Sequence, residues 1–246
     1  MTYEAILSEL KQKKYRPVYF LAGEEPYYID KIVDFIEHQI LDESEKGFNQ
    51  SVLYGKETDM QTVISEAKRY PMMAPYQVVI VKEAQHLKIT EALMSYGQNP
   101  QPTTILVFAY KGKKVDKRGK VGKFVASKLA YMETKKMYDD KVPSFVESQV
   151  REAGFSVSPK AAVLLAENVG NDLSRIHNEV EKLKLVLEPG AAVNAHVIEK
   201  NIGISKDYNN FELQKAIGNK DILKANTIIK QFSKDPSHHS IVPTIA

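Results

Sequence analysis

Three runs in this chain are apolar without alternation, and they constrain the fold more than anything else in it. They are Arg16-Pro-Val-Tyr-Phe-Leu-Ala-Gly23, Gln77-Val-Val-Ile-Val81 and Thr103-Thr-Ile-Leu-Val-Phe-Ala109. Successive side chains of a strand point to opposite faces, so a run with no polar face must be covered on both sides. That is the situation of a parallel sheet wrapped by helices. Gln50-Ser-Val-Leu-Tyr54 is a weaker strand, and Leu129-Ala-Tyr-Met132 is a candidate fifth.

Helical patterns fall between these runs. From Pro26 to Ile40, Ile29, Ile32, Val33, Ile36 and Ile40 share one face, with Pro26 near the first helical position. Thr58-Asp59 is a cap for a helix carrying Met60, Ile64 and Ala67, and another pattern runs from Thr90 to Gly97. Strand alternating with helix predicts a doubly wound α/β domain over residues 1–137. After that the strands are expected to stop. Pro143 to Gly154, Ser158-Pro159 to Gly170, and Leu173 to Leu187 read as three helices, with a short one after Asn194. They make a small helical domain over 138–207. Patterns at Phe211–Ile217 and Ile222–Phe232, then an apolar tail from Pro236 to Ala246, read as a third domain over 208–246 that is cut short.

Bulk properties exclude several classes. The 246 residues include no cysteine, which rules out disulfides, thiolate metal sites and cysteine nucleophiles. The net charge of +3 is too small to imply a nucleic-acid partner without a local patch. No apolar run approaches the ~18 residues needed to cross a bilayer, and Met1-Thr-Tyr-Glu-Ala-Ile is not a secretory signal. A cytoplasmic protein is expected, with no membrane partner.

Strand, glycine turn and helix near the N-terminus form the frame in which nucleotide-binding proteins cradle phosphates. The residues inside the frame are wrong for it. Counting Gly-x-x-x-x-Gly-Lys-Ser/Thr from Gly23 puts Tyr28 at the second glycine, Ile29 at the lysine and Asp30 at the hydroxyl. Glu24 and Glu25 add negative charge where a polyphosphate would lie. A hydrolase also needs an acidic group at the end of a buried strand to hold magnesium. Here the Val78–Val81 strand ends in Lys82-Glu83, so a cation stands first. No cofactor is expected.

Two segments are candidates for binding. In Arg69-Tyr70-Pro71-Met72-Met73-Ala74-Pro75-Tyr76, prolines on both sides of a methionine pair hold the chain out of regular structure. Either this apolar, adaptable loop enters a partner's pocket, or its methionines fold back onto the core. The second segment, 111–123, carries Lys111, Lys113, Lys114, Lys117, Arg118, Lys120 and Lys123 with one acid, Asp116. As a loop at the sheet's edge it can hold nucleic-acid phosphates, or it is a solvated loop leading into a helix. It lacks interleaved aromatics for base stacking. The six histidines, at 38, 86, 177, 196, 238 and 239, show no metal-ligand spacing.

Several stretches together resemble one family, the delta subunit of bacterial DNA polymerase III, which opens the sliding clamp within the clamp loader. They are Tyr19–Tyr27, Arg69–Ala84, Val115-Asp-Lys-Arg118, Glu167–Leu173 with Asn178–Leu183, and Phe211-Glu-Leu, in the family's order. The resemblance implies an AAA+-type α/β domain, a three-helix lid and a helical collar that is incomplete here. It implies a subunit without a working nucleotide site. It further implies that an apolar pair after the second helix enters a pocket on the sliding clamp (beta subunit). That pair matches Met72 and Met73, flanked by Pro71, Ala74 and Tyr76, where many relatives carry a leucine and an aromatic. The other implied partners are the gamma/tau motor subunits, delta prime and primed DNA. The alternatives left by the residues alone are an active AAA+ ATPase and a DNA-binding module using 111–123.

Overall fold

A computed structural model of the chain describes residues 1–202 and 210–232. The boundary expected between 207 and 208, the tail from Pro236 to Ala246, and His238 with His239 lie outside the described residues. The chain divides into two compact units, Met1–Lys136 and Met137–Ala246.

In the first unit the order is α1 (Tyr3–Lys11), β1 (Val18–Gly23), α2 (Pro26–Gln39), α3 (Glu43–Asn49), β2 (Gln50–Tyr54), α4 (Met60–Ala67), β3 (Gln77–Lys82), α5 (Glu91–Gln98), β4 (Thr104–Lys111), α6 (Lys120–Lys128) and β5 (Ala130–Thr134). The five strands form one sheet in the order β2-β3-β4-β1-β5, and every pairing is parallel. The three unalternating runs are its central strands. Their odd and even side chains feed two separate cores. Phe20, Val79, Val81, Leu106 and Phe108 pack with Met60, Val63, Leu93, Tyr96 and Val125 of α4, α5 and α6. Tyr19, Leu21, Val78, Ile80, Ile105 and Val107 pack with Ile6, Leu10, Ile29, Ile32 and Ile36 of α1 and α2. Double coverage is what the absence of a polar face required.

Local chemistry starts the helices where the sequence marked them. Asp59 Oδ1 accepts from Thr62 N–H at 2.8 Å, and Pro26 opens α2. The periodicity did not register α1 or α3. α3 has seven residues and shows its reciprocal Asp42–Glu45 capping box only once the helix is known.

The second unit holds α7 (Val142–Glu152), β6 (Ser156–Val157), α8 (Pro159–Val169), α9 (Leu173–Val186), β7 (Ala192–Val193), α10 (Ala195–Ile202), α11 (Asn210–Gly218) and α12 (Ile222–Phe232). One expectation needs correction: strands do not stop after the first unit. β6 and β7 form a two-residue parallel pair, too short to leave any period in the sequence. Among the described residues no helix is long and apolar enough to cross a membrane.

Glu212 of α11 is buried and ties this unit together. Lys224 of α12 approaches it at 2.6 Å and Lys160 of α8 at 3.2 Å. The Lys224 hydrogen bond, with Lys160 adding to it against the cost of burial, holds the Glu212 carboxyl below the ordinary carboxylate value. A carboxyl depressed in the folded state stabilises above its unfolded pKa, and that stability is lost as pH falls through the folded value. Glu212→Gln should therefore lower the urea-unfolding stability of the helical unit by about 1 kcal/mol at pH 7. The difference from the parent should close as pH falls below about 4, followed by circular dichroism.

A filled phosphate frame and an exposed methionine loop

All five strands are parallel, so their C-terminal ends share one edge of the sheet and their N-terminal ends the other. The phosphate-type frame lies at the first edge, where β1 ends at Gly23. The methionine segment enters β3 and lies at the opposite one. β3 has six residues, which at ~3.3 Å each separates the two edges by about 20 Å.

At the first edge, the groups that would hold a nucleotide are occupied by the protein. Glu25 is buried and caps α2, its Oε1 accepting from Tyr27 N–H at 3.1 Å. A helix N-terminus attracts anions, and here the chain supplies its own carboxylate. Thr134 of β5 seals the turn from beside it. Its carbonyl accepts from Glu24 N–H at 3.1 Å, and its hydroxyl donates to the Glu25 carbonyl at 2.9 Å. Gly23 has φ +136°, and a Cβ there would lie 2.2 Å from the Thr134 carbonyl oxygen. Ile29, at the lysine position, is fully buried in the core. Tyr28, at the second-glycine position, packs its ring 4.9 Å from that of Tyr3. The metal position fares no better: Lys82 pairs with Glu37 of α2 at 2.8 Å. The residues present do not fit a magnesium-bound nucleotide.

The basic segment closes over this frame. It follows the C-terminal end of β4, an interior strand between β3 and β1, and so lies at the same edge as Gly23. Leaving β4, the chain folds back across the end of β1, with Gly112 N–H donating to the Gly23 carbonyl at 2.8 Å. Lys111 then pairs with Asp30 and Lys114 with Glu24, so the acids of the altered loop meet the cations of the basic one. Lys117 pairs with Glu133 and stands over the Tyr131 ring at 5.0 Å. The Lys117 hydrogen bond leads in holding Glu133 below the ordinary carboxylate value. Arg118 grips Asp116 through two bonds of 2.9 Å and lowers that carboxyl to about 2. Lys120 and Lys123 lie on α6 rather than on a loop. Lys113, Lys120 and Lys123 have no carboxylate within ion-pair distance among the described residues. The seven cations thus split into four that are neutralised locally and three that face outward.

At the opposite edge, Met73 is fully exposed and Met72 is 57% exposed, with Tyr70 also in solvent. The methionines do not fold back onto the core. Ala74 and Tyr76 do pack against it, and Pro71 is half-buried. Tyr76 meets Tyr15 edge-on at 5.1 Å, fixing the far end of the loop, while Tyr96 donates its hydroxyl to the Ala67 carbonyl and fixes the near end. The residue that sequence reasoning missed is Asn49. It is buried, and its Oδ1 accepts from Met72 N–H at 2.6 Å while its Nδ2 donates to the Met72 carbonyl at 3.0 Å. Nothing in the sequence separates this asparagine from any other near a helix end. Met73 adopts φ +53°, a conformation uncommon outside glycine.

A protein-family model described as DNA polymerase III, delta subunit, matches residues 19–135, the stretch that holds both edges. Over that stretch the chain is similar to the delta subunits of DNA polymerase III. It is 28% identical over 241 residues to DNA polymerase III subunit delta of Bacillus subtilis (strain 168), spanning 90% of this chain and 70% of that protein. The solved structure of the Bacillus subtilis DNA clamp loader delta protein matches with a TM-score of 0.70 and 27% identity, over 94% of this chain and 71% of that one. The Thermotoga maritima RuvB branch migration motor is more distant, with a TM-score of 0.45 at 13% identity over 87% of this chain and 72% of that one. The α/β fold class expected from the sequence holds, with the parallel sheet first in the chain and the helical unit after it.

Gly23→Ala should destabilise the chain by about 3 kcal/mol, because both the backbone conformation and the closeness of Thr134 exclude a side chain. Denaturant unfolding of the variant against the parent measures it. Gly112→Ala has a positive φ but open space around it, and should cost only about 1 kcal/mol.

Proposed function

We propose that this chain is a non-catalytic clamp-loader subunit of the delta family that binds the sliding clamp and promotes its opening during DNA replication. One observation carries the reading: Met72 and Met73 stand in solvent on a loop anchored at both ends, away from a nucleotide frame filled by the chain itself. An exposed methionine pair has lasting value only if a partner covers it. The family supports the ring-shaped clamp as that partner, with gamma/tau motor subunits, delta prime and primed DNA in the same assembly. In this reading the helical unit is a lid through residue 207, and the collar begins at 208.

The mechanism is differential binding. A plug that fits the open clamp's interface better than the closed one shifts the clamp toward opening by no more than that difference in affinity. Covering two methionines is worth about 1.5–3 kcal/mol each, which bounds the effect. Nothing in the chain need be catalytic, and ATP hydrolysis belongs to neighbouring subunits. Glu25 at the head of α2 and Lys82 at the magnesium position weigh against the alternative of an active ATPase. A narrower DNA role fits the three outward lysines, Lys113, Lys120 and Lys123, better than the whole basic segment, since Lys111, Lys114, Lys117 and Arg118 are already paired.

Met72→Ala with Met73→Ala should weaken binding to the cognate clamp by about 100-fold or more, with the thermal midpoint unchanged. Surface plasmon resonance and a thermal melt measure the two, and parent-like affinity would sink the assignment. Replacing Lys113, Lys120 and Lys123 by glutamine should flatten the plot of log affinity for primed DNA against log salt. The slope should fall by about 0.9 for each phosphate no longer neutralised. An unchanged slope removes the DNA role from these lysines.

A further inference from the structure

We infer that Asn49 is a positioning residue that holds the Met72–Met73 pair in its binding conformation before any partner arrives. The inference rests on the docking reading of that loop and adds to it a residue from a different element. Asn49 ends α3, and its side chain turns inward, 1% exposed. One Nδ2 hydrogen bond goes to its own helix at the Glu45 carbonyl, 3.0 Å away, which fixes the amide plane. The remaining donor and the Oδ1 acceptor then meet the Met72 carbonyl and N–H at 3.0 and 2.6 Å.

The side chain thus copies the two-bond pairing of a neighbouring strand, and only one orientation of the amide satisfies all three groups. The Asp42–Glu45 capping box, with Asp42 N–H on Glu45 Oε2 at 3.0 Å, secures α3 in turn. β2 follows Asn49 directly and pairs with β3, so both sides of this clasp are anchored to the sheet.

Two features argue for pre-organisation rather than simple loop closure. Met73 follows the clamped residue with φ +53°, which aims an otherwise free side chain away from the core. The loop has no backbone ladder of its own across Met72, and Asn49 supplies what a strand would have supplied. A flexible apolar loop loses affinity to the entropy of ordering it, and a loop ordered in advance does not.

The test has a partner-free arm and a binding arm, both on the full chain. In Asn49→Ala, and in Asn49→Ser as a second variant, hydrogen exchange at the Met72 amide should be about tenfold faster than in the parent, with the core amides of β3 unchanged. Affinity for the cognate clamp should fall about tenfold. In a Met72→Ala/Met73→Ala background, Asn49→Ala should cause no further loss, whereas a residue acting only on stability would still add its effect. Parent-like exchange at Met72 overturns the proposal, and so does additivity in the cycle. Affinity lost on replacing the methionines but unchanged in Asn49→Ala overturns the role of Asn49 alone. Parent-like affinity in the methionine variant overturns the docking reading and this role with it.

Discussion

The constraint on which this structure depends is that its central strands must be buried on both faces. β1, β3 and β4 have no polar side to offer water, so helices must lie above and below them, and the connections must cross over. Crossover connections make the strands parallel, and parallel strands put all their C-terminal ends at one edge. The frame at Gly23 and the loop before Gln77 are thereby held at opposite edges. That separation lets one edge be remodelled for stability while the other stays exposed.

The edge at Gly23 shows how a strand-turn-helix frame is closed by the chain itself. A helix N-terminus without a bound anion has unsatisfied donors and a positive field. Glu25 answers the first need from within the loop. The acids Glu24 and Asp30 would then repel any nucleotide, and they are balanced by Lys114 and Lys111 from the next crossover. Gly23 keeps its glycine for a reason that has nothing to do with phosphate, the approach of the Thr134 backbone. The altered loop and the basic segment, which read as two independent oddities along the chain, are halves of one electrostatic arrangement.

Legibility followed the range of each signal. Period and capping are local, and the five strands, α2, α4 and α5, and the helices from α7 to α12 were readable from them. Seven-residue α3 and the two-residue β6–β7 pair are too short for a period to be counted, while nine-residue α1, longer than α4 or α5, was not read from the pattern. The filled frame was half readable: the missing lysine, second glycine and hydroxyl are plain in the sequence, while their replacements come from Thr134, Lys111 and Lys114, a hundred residues or so away. Exposure was not readable at all. The same Pro71–Pro75 segment fits a loop folded on the core equally well, and only burial separates Met72 and Met73 from Ala74 and Tyr76.

By itself the sequence determined a parallel α/β unit followed by helices, an N-terminal loop without the lysine, second glycine and hydroxyl of a phosphate loop, and an apolar segment between prolines. These follow from residue type and spacing, which act over a few positions. Tertiary structure alone decided three things: which edge each loop occupies, which four of the seven cations between Lys111 and Lys123 are neutralised, and that Asn49 grips Met72. Apart from Arg118 on nearby Asp116, these depend on groups distant in sequence coming together, and pairings of that kind leave no period or motif in a single chain.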